Sequence, residues 1–231
     1  MRLVHSKISL LILFILPAFY SNAQSKNKYG LIIISSQESF KQSIQKDSNN
    51  ALVLINKYIP AIELDIKYAT TQNVFYTKLY QQAKAYVRLP VIKALIKVEK
   101  ELNELGLGLK IYDAYRPYRI TCQMYEMLPD SLYMGLPWQG SKHNRGIALD
   151  LTLIDFKSKS ELKMPTPFDA LVYPAHPEYM KLPKEVISNR ELLKGVMKRH
   201  GFVVDPMEWW HFNYQSNKLF DLLDIPFEQL E

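Results

Sequence analysis

The sequence contains very little cysteine, and this scarcity excludes one source of stability. Cys122 is the only cysteine among 231 residues, so no disulfide bond can form within the chain. We predict that this thiol is buried and unreactive. Stability must therefore come from a hydrophobic core, and a hydrophobic content of 48% supplies enough apolar residues for one.

Clusters of positive charge are absent as well. The formal net charge is +6, but the lysine and arginine residues are spread along the sequence and do not form a group. Because proteins that bind nucleic acid concentrate their basic residues on one surface, we expect no nucleic-acid partner.

The sequence also lacks a hydrophobic run long enough to span a membrane. The apolar run at residues 8–20 is shorter than the roughly 18–20 residues that a transmembrane helix needs. Arg2 and Lys7 precede this run and the small residues Ser21-Asn22-Ala23 follow it, which is typical of a signal peptide. We predict that residues 1–23 are a signal peptide, that no stable membrane anchor remains after cleavage, and that the protein is exported to the periplasm or the medium.

The remaining chain has room for one domain. Residues 24–50 are mostly polar and predict a loose N-terminal arm, whereas residues 51–231 are sufficient for a single core. A long proline-rich loop is predicted over residues 156–183. A capping box formed by Ser188 and Glu191 predicts the start of the last helix.

The spacing of apolar residues in this domain predicts both strands and helices, which indicates an α+β fold. Strands are predicted within residues 62–68, 107–111 and 146–153, helices over residues 91–105 and 120–128, and a terminal hairpin over residues 202–204 and 209–214.

Two short stretches carry the residues with the clearest chemistry. GSKHNRGIALDLTL contains His143 and Asp150, and MEWWHFNY contains Glu208 and His211. Two imidazoles and one carboxylate can hold a catalytic zinc ion, because such sites use three protein ligands and leave the fourth position open. A further carboxylate beside the ion can act as a general base. The two stretches together therefore predict a catalytic metal site.

Both stretches must bend before they can form such a site. His143 and Asp150 are seven residues apart and would point to opposite faces of a regular strand, so the chain must turn back before the strand begins. Gly146 allows such a turn. The glutamate and histidine of the second stretch are three residues apart and need a bend after Pro206.

These motifs resemble those of the D-alanyl-D-alanine dipeptidases, the family that includes the vancomycin-resistance dipeptidase. SKHNRGIALD and EWWH are similar to the two zinc signatures of that family, and DAYRP is similar to its arginine motif. DIKYATTQN and Phe168-Asp169 extend the resemblance, which runs in the family's order from about residue 62 to residue 214.

The resemblance implies one zinc ion per chain, bound by His143, Asp150 and His211. It also implies a fold in which a mainly antiparallel sheet is flanked by helices. The ligand types alone would suit iron as well, so the choice of zinc follows from the resemblance.

The resemblance further implies the roles of four other residues. Glu208 would be the general base, and Arg116 would stabilise the oxyanion. Ser141 would contact the C-terminal carboxylate of the substrate, and Asp169 would pair with its ammonium group. The implied substrate is D-Ala-D-Ala or a related peptidoglycan peptide.

Two other functions fit the same motifs. The zinc signatures also occur in D,D-carboxypeptidases and muramoyl endopeptidases, which act on longer peptides. A module that binds cell-wall peptide and keeps its metal for structure is a third possibility. Glu208 argues against that module, since a purely structural site needs no spare carboxylate.

Overall fold

A five-stranded sheet forms the centre of the computed structural model, which describes residues 26–230. The predicted signal peptide lies outside the described residues. The helices are α1 (Gln37–Lys46), α2 (Ile55–Tyr58), α3 (Leu89–Glu104), α4 (Tyr118–Met127) and α5 (Lys184–Arg199). The strands are β1 (Ile33–Ile34), β2 (Leu52–Leu54), β3 (Glu63–Leu64), β4 (Tyr86–Arg88), β5 (Leu107–Asp113), β6 (Ala148–Asp155), β7 (Phe202–Val204), β8 (His211–Tyr214) and β9 (Leu222–Leu223).

The central sheet has the strand order β3-β5-β6-β8-β7. β3 pairs with β5 in parallel, and the other three pairs of neighbours are antiparallel. Two small sheets, β1 with β9 and β2 with β4, lie beside it. This architecture confirms the prediction of an α+β domain with a mainly antiparallel sheet.

The middle strand β6 is buried on both faces, and its sequence explains why. Leu149, Leu151 and Leu153 alternate with Asp150 and Thr152, so the leucines share one face and the polar side chains share the other. The leucine face packs into the core, and the opposite face carries the buried polar side chains.

The pairing of β6 with its neighbours sets a row of polar residues across the sheet. Asp150 lies opposite Asp113 on β5 and opposite His211 on β8. Directly opposed residues on neighbouring strands have side chains on the same face of a sheet. The register therefore brings together three side chains that are far apart in the sequence.

The first long helix agrees with its prediction, but the last does not begin where the sequence indicated. α3 ends just before Gly106, whose φ of 72° is suited to the end of a helix. α5 begins at Lys184, one turn before the predicted start at Ser188. Pro183 occupies the position before the first turn and fixes the backbone there, so the predicted capping box lies inside the helix.

The segment predicted to be a loose arm forms regular structure. Ser36 caps α1 by accepting a hydrogen bond from the backbone N–H of Ser39. Ile34 and Phe40 are both buried in the core, and β1 pairs with β9 near the C-terminus. These two apolar anchors outweigh the polar composition of the segment. The boundary between arm and domain at residue 51 stays a prediction.

Three smaller features of the described residues complete the fold. Cys122 is half-buried, and burial raises the pKa of its thiol. His200 ends α5 and pairs with Glu101 of α3, with 2.7 Å between imidazole and carboxylate. No helix of residues 26–230 has the length and apolar character needed to cross a membrane.

A buried carboxyl group in α3, that of Glu99, makes the stability of the protein depend on pH. Glu99 is 3% exposed; its Oε2 accepts a hydrogen bond from the Leu109 backbone, whereas its Oε1 has no hydrogen-bond partner. Burial raises the pKa of Glu99 to about 7. Between pH 4.5 and 7 the unfolded chain therefore releases this proton while the folded chain keeps it, so Glu99 makes the protein less stable as the pH rises.

We expect Glu99→Gln to remove this pH dependence. Relative to the wild type, the free energy of unfolding of the variant should rise by about 2–3 kcal/mol between pH 4.5 and pH 8. Urea unfolding at the two pH values measures this change. Any effect of the amide on stability that does not depend on pH cancels in the difference between the two values. Glu104→Gln, at an exposed position of the same helix, is the control. Equal pH profiles for wild type and Glu99→Gln would contradict the prediction.

Candidate metal and active site

One cavity of about 330 Å³ opens on the polar face of the central sheet. It brings together all seven residues that the sequence analysis selected for a site. These lining residues are Arg116, Ser141, His143, Asp150, Asp169, Glu208 and His211. They come from four separate parts of the chain, so the cavity exists only in the folded protein.

The turn that precedes β6 directs His143 into this cavity. His143–Arg145 form one 3-10 turn, and Gly146 follows with a φ of 70° in the left-handed region. A Cβ atom at Gly146 would lie 2.6 Å from a side-chain carbon of Leu52, so glycine is required there for space as well as for conformation. This confirms the predicted turn between the histidine and the aspartate.

A second turn directs Glu208 and His211 into the same cavity. The backbone N–H of Asp205 donates to the carbonyl of His211, and the N–H of His211 donates to the carbonyl of Glu208. The chain thus folds back on itself before β8 begins, which confirms the bend predicted after Pro206.

Three donor atoms converge at the centre of the site. The Nε2 atom of His143 lies 3.2 Å from the Nδ1 atom of His211, and these nitrogens lie 3.4 and 3.1 Å from the Oδ1 atom of Asp150. Ligands held about 2.0–2.2 Å from one zinc ion at tetrahedral angles are separated by about 3.3 Å. The observed triangle therefore has the dimensions of one face of a tetrahedral metal site.

The Oδ1 atom of Asp150 supports this interpretation. It is buried and has no hydrogen-bond partner, although two imidazole nitrogens lie beside it. A buried carboxylate oxygen without a hydrogen bond is costly, and ligation of a cation removes that cost. The donor set thus fits a metal ion.

Hydrogen bonds on the far side of each imidazole orient the lone pairs toward this point. The Nδ1 atom of His143 lies 2.6 Å from the carbonyl oxygen of Ala114, and the Nε2 atom of His211 lies 3.1 Å from the side-chain oxygen of Asn213. Since both oxygens can only accept, each of these nitrogens carries the proton. The opposite nitrogens are left with the lone pairs that a metal requires.

The pKa shifts of His211 and Asp150 also indicate that the cluster stabilises a positive charge. Burial lowers the pKa of His211, but the carboxylates of Asp150 and Glu208 outweigh burial and raise it to about 9. Burial raises the pKa of Asp150, but the two histidines outweigh burial and hold it below its usual range. A positive charge between these groups is thus stabilised, and a divalent metal can take the place of the proton.

Glu208 lies next to the three donor atoms but outside their triangle. Its Oε2 atom is 3.6 Å from the Nδ1 atom of His211, and its side chain is 14% exposed. Burial raises the pKa of Glu208 to about 8. The structure therefore places a second carboxyl group, separate from that of Asp150, at the edge of the donor cluster.

Arg116 is held in the cavity by an ion pair and an aromatic ring. Its Nε and Nη2 atoms donate to one oxygen of Asp113 at 2.9 and 2.7 Å, and the hydroxyl of Tyr80 donates to the other oxygen at 2.8 Å. The guanidinium carbon also lies 5.1 Å from the centre of the Tyr68 ring. Burial alone lowers the pKa of Arg116, but the Asp113 carboxylate holds it above its usual range. This arginine thus presents a permanent positive charge to the cavity.

The two remaining residues lie on different loops around the cavity. The hydroxyl oxygen of Ser141 accepts a hydrogen bond from the backbone N–H of His143, which leaves its hydrogen to be donated elsewhere. Asp169 has a φ of 59°, a left-handed conformation that aspartate tolerates better than most residues. Both of its carboxylate oxygens lie 3.0 Å from the Tyr68 hydroxyl.

The long loop that carries Asp169 is tied to the second motif. The indole N–H of Trp209 donates to the hydroxyl of Thr166, and the backbone N–H of Trp209 donates to the carbonyl of Ala175. Trp209 is itself 1% exposed. The loop is therefore anchored on both sides of Asp169.

Residues that support the site without having been assigned a role from the sequence include Asp113, Tyr68, Tyr80 and Asn213. Asn213 could have been found, because it lies two residues after His211 on a strand and so on the same face. Tyr68 lies within the stretch DIKYATTQN, where its type alone indicates no contact. Nothing in the sequence around Tyr80 indicates a role in the site, because only the fold brings its side chain to Asp113.

A cavity built in this way places the protein in the class of metal-dependent hydrolases. The family of the protein can be stated more narrowly than this class. Residues 48–227 match the family model described as D-ala-D-ala dipeptidase, and the chain belongs to that family.

Comparisons with individual proteins agree with this assignment. The D-alanyl-D-alanine dipeptidase of Escherichia coli (strain K12) is 36% identical over 172 residues, which cover 74% of this chain and 89% of that protein. The D-alanyl-D-alanine dipeptidase of Enterococcus faecium is 25% identical over 178 residues, which cover 68% and 88%.

Among solved structures, an LdcB LD-carboxypeptidase overlaps with a TM-score of 0.38 and 17% identity. That match covers 58% of this chain and 61% of the carboxypeptidase chain, so less than two thirds of the latter is spanned.

Proposed function

We propose that this protein is a zinc-dependent dipeptidase that hydrolyses free D-Ala-D-Ala. The observation that carries the proposal is the triangle of donor atoms from His143, Asp150 and His211, with its unpaired carboxylate oxygen. Membership of the D-ala-D-ala dipeptidase family and two relatives named D-alanyl-D-alanine dipeptidase support the substrate.

His143, Asp150 and His211 are the proposed ligands of one zinc ion per chain. Zinc, when bound, supplies Lewis-acid polarisation of a carbonyl group and makes a nearby water molecule more acidic. The protein contributes the orientation of the ligands through Ala114 and Asn213, which fix the two imidazoles.

Glu208 is the proposed general base. Its carboxyl group lies beside the donor cluster and lines the cavity. A divalent cation bound at the cluster would favour the ionised form of this group, which can accept a proton from the attacking water. It can then deliver that proton to the nitrogen of the leaving D-alanine, because a carboxylate that has taken up a proton becomes a general acid.

Arg116 is the proposed partner of the charge that develops on the carbonyl oxygen during attack. It is already oriented by Asp113 and Tyr80, so no reorganisation is needed when the charge appears. The Asp113 carboxylate holds the pKa of Arg116 above its usual range, so the guanidinium group stays charged at neutral pH.

Ser141 and Asp169 are the proposed contacts for the two ends of the dipeptide. The Ser141 hydroxyl can donate to the C-terminal carboxylate, and the Asp169 carboxylate can accept from the N-terminal ammonium group. A site that contacts both charged ends discriminates by length, since a longer peptide leaves one of these groups without its partner.

The experiment that tests the proposal compares free D-Ala-D-Ala with N-acetyl-D-Ala-D-Ala as substrates of the zinc-loaded protein. We expect cleavage of the free dipeptide alone, because acetylation removes the charge that Asp169 would bind. Preference for the blocked peptide would assign the protein to the hydrolases of longer peptides. Cleavage of neither peptide by the zinc-bound protein would favour a binding module.

Asp169→Asn tests the contact with the ammonium group directly. We expect the KM for D-Ala-D-Ala to rise by about 10- to 100-fold, since a hydrogen bond to a charged group contributes about 1.5–3 kcal/mol. Asp65→Asn removes a carboxylate that is paired with Lys67 outside the cavity, and it is the matched control. An unchanged KM in Asp169→Asn would assign the ammonium group to another residue.

We also propose that the protein acts after export, in the periplasm or the medium. The support is the pattern of residues 1–23, with its basic start, apolar run and small residues at the proposed cleavage site. The N-terminal sequence of the mature protein and the fraction that contains it would test this proposal.

A further inference from the structure

Residues 26–32, which precede the family match at 48–227, form a small hairpin that we call the N-terminal hairpin. Lys26 and Ile32 pair as an antiparallel bridge. The side-chain oxygen of Asn27 accepts hydrogen bonds from the backbone N–H groups of Tyr29 and Leu31, at 2.9 and 3.0 Å. The hairpin is thus a defined structure held by its own asparagine.

This hairpin contacts a segment that forms one wall of the cavity. Residues 128–140, which we call the wall segment, connect α4 to the turn that carries Ser141. Leu132, Tyr133, Met134 and Gly135 of this segment line the cavity. A Cβ atom at Gly135 would lie 3.3 Å from that of Ser141, so the wall lies directly against the residue proposed to bind the C-terminal carboxylate.

One direct contact and one relayed through Tyr118 of α4 join the hairpin to the wall. The side-chain amide of Asn27 donates to the hydroxyl of Tyr118 at 3.0 Å, and that hydroxyl donates to the carbonyl of Pro137 at 2.6 Å. The ring of Tyr29 packs edge-on against Trp138, with 6.4 Å between the ring centres. Asn27 therefore shapes the hairpin and also supports the wall through Tyr118.

Within the wall segment, the backbone hydrogen bonds are local. Met134 donates to Asp130, and both Gln139 and Gly140 donate to Leu136. Local bonds of this kind give the segment its shape but do not fix its distance from the opposite side of the cavity. Contacts with neighbouring elements must fix that distance, and the hairpin provides one directly and one through Tyr118.

We infer that Asn27 and Tyr29 are positioning residues that set the width of the site where the C-terminal residue of the substrate binds. This inference rests on the proposed function. The apolar wall limits the size of the side chain that fits beside Ser141, and the hairpin holds that wall in place. The chain thus uses a segment outside the family match to restrict its substrates to a small C-terminal residue.

The test compares the wild type with the double variant Asn27→Ala/Tyr29→Ala on two substrates, D-Ala-D-Ala and D-Ala-D-Phe. Loss of one hydrogen bond and one aromatic contact should raise the KM for D-Ala-D-Ala by about three- to tenfold. The kcat should change by less than about twofold, because no group that contacts the reacting atoms is altered. The preference for D-Ala-D-Ala over D-Ala-D-Phe should decrease.

Three further measurements separate positioning from a purely structural role. Tyr29→Phe keeps the ring and should keep the wild-type KM, and Lys26→Ala is a control at an exposed position of the same hairpin. Hydrogen exchange of the amides in the wall segment should be faster in the double variant. A lower melting temperature with unchanged KM, unchanged preference and unchanged exchange in the wall segment would overturn the inference.

Failure of the proposed function gives a different result. In that case the zinc-loaded wild type would cleave neither dipeptide, and the restriction on substrate size would be overturned with the function. The exchange measurement would still decide whether the hairpin holds the wall.

Discussion

Glu208→Gln should bind zinc and fold like the wild type but hydrolyse D-Ala-D-Ala with a kcat lower by about 10²- to 10⁴-fold. Glutamine has nearly the same shape as glutamate and can occupy the same buried space beside His211. It cannot accept a proton from water at neutral pH, so the proposed proton transfer is lost. The three proposed metal ligands are unchanged, and the zinc content should therefore stay at the wild-type value.

Two measurements on each protein make this test specific. Metal analysis gives the zinc content, and steady-state kinetics give the kcat and KM. Glu178→Gln is the matched control, since the Glu178 side chain is 85% exposed on the long loop. A Glu208→Gln protein with bound zinc and a kcat within tenfold of the wild type would exclude Glu208 as the general base.

Arg116→Met should lower the kcat by about 10²- to 10³-fold, which is the usual effect of removing a group that stabilises an oxyanion. It should also destabilise the fold by about 3–5 kcal/mol, because the buried carboxylate of Asp113 loses its ion-pair partner. Asp113 is 1% exposed and would retain a hydrogen bond from Tyr80. One substitution is thus expected to affect both catalysis and stability.

A double variant separates the two effects. Asp113→Asn/Arg116→Met removes both charges, so most of the lost stability should return while the kcat stays low. Urea unfolding measures the first quantity and steady-state kinetics the second. Arg119→Met is the control, since Arg119 is 49% exposed and pairs with Asp224 away from the cavity. Recovery of the kcat in the double variant would show that Arg116 acts on stability alone.

Part of the fold follows from local patterns in the sequence. The helix that ends before Gly106, the strand that contains Asp150 and the terminal hairpin all have apolar periodicities that appear within a few residues. The turn at Gly146 is equally local, because the conformation it requires favours glycine.

Other parts could not be predicted, because they depend on distant contacts. The start of α5 was displaced by the backbone of Pro183, which overrode the capping signal at Ser188. The polar arm folds because Ile34 and Phe40 find places in a core that other segments build. The polar composition of the arm does not by itself indicate that these two side chains are buried.

The sequence by itself predicted a metal site with a spare carboxylate beside it. The types of residue in two short motifs, and the turns that each motif requires, were sufficient to select His143, Asp150, Glu208 and His211 as members of one site. This was possible because metal ligands and a spare carboxylate are defined by residue type and by spacing within a few residues.

Only the tertiary structure decided how these groups meet and what supports them. The register that places Asp113, Asp150 and His211 in one row depends on which strands become neighbours. The support of the cavity wall by the N-terminal hairpin depends in the same way on contacts between distant segments. Local periodicity states which face a side chain occupies, but long-range packing of the core selects the partner of each strand.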